Sequence, residues 1–402
     1  MRDAVAAQRV IGLISGTSMD GIDVAVADLG IAGATTDAPT IELAPLGDIE
    51  LAYPERLRER LLAVLPPAGC TAAELCELDT LVGQAFAGAA ERGIAELAAG
   101  KADLIASLGQ TIYHWVDAGR CLGTLQLGQP AWIAEATGRP VVSDLRARDV
   151  AAGGQGAPLA STLDTLWLTE LAHRDGTPLA ALNLGGIANI TVVAPGSPAL
   201  AYDTGPGNAL LDLAARRAGR PWDAEGELAA AGTPDRGLLD RLLADPYYQQ
   251  SPPKSTGKER FHSGYLDNAT GLNAEGIGTE DLLATLVELT AITVADACRA
   301  HGAARVIASG GGVRNPTLMR SLAARLAPAE ITTSDQFGLP AHAKEAHLTA
   351  LLGFLTWNGI AASTPSATGA SGARLLGSVT PGLLPLRPSG PPSRSVKRLR
   401  VI

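Results

Sequence analysis

Cysteine is scarce in this chain: Cys70, Cys76, Cys121 and Cys298 are the only four in 402 residues. No two of them stand at C-x-x-C spacing and no His lies at zinc-ligand distance from them. A disulfide framework, a redox motif and a zinc site are therefore excluded, and the four read as separate reduced thiols. Positive charge is also short. The 32 Lys and Arg face 41 acids, a net charge of −9, which argues against a nucleic-acid binder because phosphate neutralisation needs a basic surface. Long hydrophobic runs are absent. The longest apolar stretch, 178–195, is broken by Asn183, Gly185, Gly186, Asn189 and Thr191, too polar for a membrane span. The N-terminal segment reaches Gly12 and polar turn residues before a signal-peptide apolar core develops, so the cytoplasm is expected. No G-x-x-x-x-G-K-[ST] run occurs, which excludes a P-loop, and no G-x-G-x-x-G follows a strand.

What is present is a 46% apolar composition on a chain long enough for two or three domains with real cores. Val10–Ile14 and Ile22–Leu29 are β-rich runs flanking a turn of small polar residues, a hairpin signature. Apolar spacing of three and four predicts helices over Glu55–Val64 and Thr71–Ala99. A strand is expected at Ala102–Ser107, a helix at Gln129–Thr137 and a strand at Pro140–Ser143. Leu179–Val193 then repeats the strand, small-residue turn, strand pattern near mid-chain, which suggests a duplicated architecture. Helices follow near Leu210–Arg217, Gly237–Leu243 and Glu280–Ala300. Arg305–Ala308 is a strand, Pro316–Leu326 a helix and Ala343–Asn358 an amphipathic helix. The last segment, 385–402, is basic and rich in Pro and Ser, and is expected to be a solvated tail.

Three glycine-rich turns stand at strand ends: Gly16-Thr17-Ser18, Gly185-Gly186 and Gly310-Gly311-Gly312. Each reads alone as an ordinary hairpin turn. Three together, with Ser, Thr or Asn beside them, favour a phosphate cradle of backbone N–H groups. Asp20 and Asp23 belong to the first turn. Asp203, in Tyr202–Asn208, is placed at the end of a short strand, either as general base or holder of a hydrated Mg²⁺, or as the cap of the following turn. Ser143–Pro158 carries Arg146 and Arg148 between Asp144 and Asp149, then Gly153-Gly154-Gln155-Gly156. It reads as a surface ion-pair loop or as an anion grip. Lys254–Phe261 reads as a solvated loop, and His114 and His262 have no partner spacing that suggests chemistry.

These residues carry a resemblance. Gly12–Asp23 (GLISGTSMDGID), Ser143–Pro158 with its DVAAGGQGAP run, Asn183–Asn189, Asp203–Asn208, Lys254–Phe261 and Ser309–Asn315 follow one another as in the anhydro-N-acetylmuramic acid kinase family. The resemblance covers nearly the whole chain. It implies a two-domain α/β fold of the sugar kinase/Hsp70/actin (ribonuclease H-like) type with an ATP cleft between domains. The first domain would be 1–150 completed by about 345–380, the second 151–344. Gly16, Thr17, Ser18, Met19, Asp20, Gly21, Ile22 and Asp23 match the family's ATP-phosphate loop. Asp203 matches its catalytic aspartate; Arg148, Gln110 and Glu345 fall at its sugar site. The family shows His where this chain has Leu108, and Asn or Asp where it has His262.

The activity so implied is ATP- and Mg²⁺-dependent hydrolytic phosphorylation of 1,6-anhydro-N-acetylmuramic acid in peptidoglycan recycling, by a cytoplasmic enzyme expected to be a homodimer. An ordinary sugar kinase and a non-catalytic actin/Hsp70-like nucleotide switch are the alternatives. Neither of them explains DVAAGGQGAP.

Overall fold

The computed structural model describes residues 4–16, 19–33, 39–65, 68–117, 119–252, 254–257, 260–271, 277–388, 390–391 and 395–402. Its internal contacts divide the chain into two units, Met1–Glu170 with Ala343–Ile402, and Leu171–His342.

Unit 1 is built on an eight-stranded sheet. β1 (Ala4–Ser15), β2 (Gly21–Ala32) and β3 (Thr40–Ala52) form an antiparallel meander. β4 (Leu104–Asp117) runs parallel to β1, and its far half pairs antiparallel with β5 (Arg120–Leu127). β6 (Val141–Ser143) continues parallel to β4. Unit 2 repeats the plan with β7 (Leu179–Leu184), β8 (Ile187–Val193) and β9 (Leu200–Pro206) as the meander, then β10 (Arg305–Ser309) and β11 (Glu330–Thr333), with β10 parallel to β7 and β11 parallel to β10. Three antiparallel strands followed by two parallel ones, with the first strand central, is the ribonuclease H-like order of the sugar kinase/Hsp70/actin architecture. It occurs twice, as the repeated strand–turn–strand pattern predicts.

The apolar run of β1 is continuous because both of its faces are covered. Ile11 and Leu13 join the core with Val24, Ile105 and the helix Ala72–Glu96. That helix begins in a capping box, where the Thr71 side chain accepts from the Glu74 N–H and Glu74 accepts from the Thr71 N–H. On the opposite face Gly12 lets the helix Lys344–Trp357 lie against the strand, since a Cβ there would come within 2.0 Å of the Ala346 carbonyl oxygen. Gly353 of the helix meets Ala106, the register partner of Gly12, in the same way. This helix is not amphipathic as expected: Ala346–Leu355 are buried without interruption, the pattern of a fully covered segment.

Two further expectations change. The helix Ala160–Asp175 begins in unit 1, where the Thr162 hydroxyl donates to the Ala362 carbonyl at 2.5 Å, so the units divide at 170 and 342 rather than 150 and 344. The expected solvated tail, 385–402, is corrected at 398–401: β13 (Arg398–Val401) forms a parallel edge strand on β3 that buries Leu399 completely. Ahead of it, β12 (Ser378–Thr380) pairs with β6. Arg398 and Arg400 reach Glu170 at 3.7 and 3.0 Å, so the basic residues are partnered at the sheet edge. Cys121 and Cys298 are buried while Cys70 and Cys76 are exposed, all as free thiols. No helix among the described residues is long and apolar enough to cross a membrane.

Leu399→Ala should therefore destabilise unit 1 by about 2–4 kcal/mol. Leu384→Ala, at a position 77% exposed, should stay within about 0.5 kcal/mol of the parent. Denaturant unfolding of both variants measures the difference.

Candidate active site

The candidate residues fall in both units. The first glycine turn, Gln110, Arg148 and Glu345 belong to unit 1, whereas Asp203 and the second and third turns belong to unit 2.

The first turn follows β1 directly. Thr17 and Ser18 lie outside the described residues; the Gly16 carbonyl accepts from the Met19 N–H at 3.2 Å. Met19 is buried with φ of 56°, a left-handed conformation that is costly for a side-chain residue. The turn is held from three sides. Arg58 donates to the Met19 carbonyl at 3.1 Å and to the Asp20 carboxylate at 2.8 Å, and the Tyr53 N–H donates to the Asp20 carbonyl. Gln110, fully buried, donates from Nε2 to the Gly16 carbonyl at 3.2 Å. Its Oε1 lies 2.6 Å from the Ser15 hydroxyl and 3.4 Å from that of Tyr53. Burial also raises the Tyr53 phenol well above its ordinary pKa, so it stays a donor. Gln110 thus positions the turn through both ends of its amide.

DVAAGGQGAP is folded around Asp149, which is fully buried. Its carboxylate accepts from the Gly156 N–H at 2.9 Å and the Thr368 hydroxyl at 2.8 Å. Gly154 must be glycine, because a Cβ would stand 2.2 Å from Asp149 Oδ2. The reading as a surface ion-pair loop fails here, since this acid pairs with the loop's own backbone. Arg148 is exposed on the short helix Ala147–Ala151, and its side chain makes no hydrogen bond among the described residues.

Arg146 is the arginine that turns inward. It donates from Nη1 to the Gly156 carbonyl at 2.8 Å, and its Nε is buried without a partner. Burial lowers its pKa while the Glu345 carboxylate, on the first turn of Lys344–Trp357, opposes that shift. The same guanidinium acts on His114, whose ring is pushed down to about 4, first by burial and then by Arg146. Arg146, named in the sequence only as one of two arginines in a possible anion grip, and His114, given no role there, are functional candidates.

In unit 2 the second and third turns meet. Gly185 and Gly186 present their carbonyls to the N–H groups of Asn208, Gly207 and Ala209 at 2.8–3.0 Å, closing the start of the helix Asn208–Arg217. Gly310 and Gly312 pack on Asn183 and Leu184, where any Cβ would come within 2.6 Å. Gly311 alone is open: a Cβ there would meet nothing within 4 Å. Asp203 lies inside β9 rather than at its end, beside a register shift between Ala188 and Asn189; such a bulge re-aims side chains. It caps no helix: the Asn208–Arg217 helix has Gly207 at its N-cap and no side-chain cap bond. Its carboxylate accepts the Thr256 N–H at 2.9 Å, its N–H donates to the Lys254 carbonyl at 3.2 Å, and its carbonyl accepts the Tyr247 hydroxyl at 2.7 Å.

Lys254–Phe261 is therefore not a solvated loop where it is described (Lys258 and Glu259 lie outside): Lys254 Nζ stands 4.7 Å over the Tyr247 ring and Phe261 is buried. Burial lowers the Lys254 pKa. His262 takes an N-cap slot, its Nδ1 accepting from the Gly264 N–H at 3.0 Å, the task for which Asn and Asp are usual.

The profile of the anhydro-N-acetylmuramic acid kinase family matches residues 8–382. The chain belongs to this family. It is 54% identical over 397 residues to the anhydro-N-acetylmuramic acid kinase of Streptomyces coelicolor, covering 98% of this chain and 99% of that one. The corresponding kinase of Streptomyces avermitilis is 57% identical over 380 residues, 93% and 94% of the two chains, and that of Rhodococcus erythropolis 52% over 384 residues with the same coverage. The identity runs past every motif described above, so the anhydro-N-acetylmuramic acid kinase pattern extends over both units.

Two outcomes test this geometry. Gln110→Leu removes the buried amide's hydrogen bonds to Ser15 and the Gly16 carbonyl and should cost about 1–3 kcal/mol, read as a lowered unfolding midpoint. In an NMR titration His114 should stay neutral down to about pH 4 and Arg146→Gln should raise its midpoint toward 6.5. Because the unfolded ring binds its proton at the higher pH, this residue costs stability as the pH falls from 6.5 toward 4.

Proposed function

We propose that the protein converts 1,6-anhydro-N-acetylmuramic acid, ATP and water into N-acetylmuramic acid 6-phosphate and ADP, with Asp203 as the general base. Membership of the kinase family supports the activity. The observation that carries the assignment of the base is the setting of Asp203 beside a strand bulge: its carboxylate accepts from the Thr256 N–H, while its backbone is held by the Lys254 carbonyl and the Tyr247 hydroxyl.

Opening a glycosidic acetal ordinarily takes two carboxyl groups, an acid for the departing oxygen and a base for water. Here phosphorus takes the place of the acid. Asp203 removes a proton from water as its oxygen bonds to C1 and the C1–O6 bond breaks. O6 bonds to the γ-phosphorus, and the β–γ bridging oxygen leaves with ADP. Each bond broken has a bond formed, and the one proton released resides on Asp203. The developing charge on the transferring group is spread over its oxygens, so the protein's part is positioning and electrostatic complementarity. We assign the Gly16–Asp23 turn and the open backbone at Gly311 to the phosphates, and Arg146, with exposed Arg148 and Glu345, to the sugar.

Among the described residues no three His, Cys, Asp or Glu side chains converge on a metal position. Mg²⁺ carried by a nucleotide keeps several waters and needs only one or two protein carboxylates; Asp23 on β2 is our assignment for it. When bound, the ion would neutralise phosphate charge. A cytoplasmic setting and a homodimer belong to the same proposal.

Asp203→Asn should lower kcat by about 10²–10⁴-fold and leave KM for ATP within a few-fold. In ¹⁸O-water the parent enzyme should place the label at C1 of the sugar phosphate. Label absent from C1, with phosphorylation intact, would mean simple transfer to a hydroxyl and would remove water activation from Asp203.

A further inference from the structure

Unit 1 holds a cavity of about 160 Å³ to which no part of the substrate has been assigned. It opens between the first half of β4, the carboxyl end of β6 and the Gly128 turn, lined by Ser107, Leu108, Gln126, Leu127, Pro130 and Asp144. Two polar atoms of this wall are buried without partners, Ser107 Oγ and Gln126 Oε1. Ser107 is only 1% exposed. The Gln126 amide is oriented by its nitrogen, which donates to the hydroxyls of Thr124 at 2.7 Å and Thr111 at 3.3 Å, leaving Oε1 as an acceptor. Buried polar atoms of this kind are rare in folded proteins and mark places that a further group completes.

Charge narrows the choice of group. Asp144 and Asp79 both line the cavity, and none of its lining residues is basic, so a phosphate or a lactyl carboxylate is disfavoured there. A neutral group with one donor and one acceptor matches the two orphans. Leu108, Leu127 and Pro130 add an apolar wall.

We propose that this cavity receives the N-acetyl group of the sugar. The amide N–H donates to Gln126 Oε1, the acetyl carbonyl accepts from the Ser107 hydroxyl, and the methyl rests on Leu108, Leu127 and Pro130. At about 30 Å³ per water-sized group, four heavy atoms fit with room for about one more. Leu108, where the family shows His, becomes part of the methyl's wall instead of a missing donor. The assignment rests on the function proposed above and names the residues that select for an N-acetylated substrate.

The test compares 1,6-anhydro-N-acetylmuramic acid with its analogue bearing a hydroxyl in place of the acetamido group, in the full-length enzyme and in Ser107→Ala and Gln126→Leu. The parent enzyme should prefer the acetamido sugar by about 10²-fold or more in kcat/KM, as sites built around a substrate's polar groups do. Each variant should lose about tenfold on the acetamido sugar and little on the analogue, so that the preference shrinks; unfolding midpoints verify that both variants are folded. A parent enzyme that turns over both sugars equally, or variants that keep the full preference, would overturn the assignment and leave the cavity to water. If the parent turned over neither sugar, the functional reading itself would fall and the subsite with it, a result distinct from the other two.

Discussion

The amide of Gln110 is wholly enclosed, and an enclosed amide has to find partners. It finds them in the residues that make the first turn: the Gly16 carbonyl on one side, the Ser15 and Tyr53 hydroxyls on the other. Because Gln110 sits on β4 opposite Ser15 of β1, a turn that would otherwise hang from a single strand is tied to two. The same device recurs with other chemistry. Asp149 fixes DVAAGGQGAP through the Gly156 N–H and the Thr368 hydroxyl. In unit 2 the carbonyls of Gly185 and Gly186 hold the start of the Asn208–Arg217 helix. Each of these loops is anchored by a few polar groups whose partners lie largely in backbone, which gives positional accuracy to segments that have few apolar contacts of their own.

This pattern explains why glycine and not charge dominates the motifs. Gly12, Gly154, Gly310 and Gly312 are each needed because a neighbouring backbone or side-chain atom comes within 2.0–2.6 Å of where a Cβ would be. Only some glycines of a motif are available to a ligand, and Gly311 is the one in its turn that faces open space. A glycine-rich run thus mixes packing requirements with recognition, and the two cannot be told apart by counting.

Much of the fold was legible because it is local. The hairpins announce themselves by apolar runs around small polar turns, and Pro316–Leu326 by a proline at its first position behind the Asn315 cap. The central helix Lys344–Trp357 was placed well but its character was missed, since burial on all sides depends on what packs around it. The place of Asp203 within β9 was not legible, because a register shift leaves no trace in composition. Arg146 and Arg148 look alike in sequence. Around a helix of five residues a separation of two sends one inward and the other to solvent, and no periodicity is long enough to say which. The role of Gln110 in holding the first turn was hidden for another reason: its partners Gly16, Ser15 and Tyr53 lie far from it in sequence.

β13 was the least legible element, four residues of mixed character whose partner strand lies at the other end of the chain. Its pairing has a consequence for biogenesis. β3 leaves the ribosome early and its outer edge waits, unpaired, through the synthesis of all of unit 2 and the return into unit 1. Unit 2 is continuous and can close upon itself during translation, whereas unit 1 is completed only by residues that follow unit 2 in the chain. Until β13 arrives, the exposed β3 edge is a template for pairing with another nascent chain.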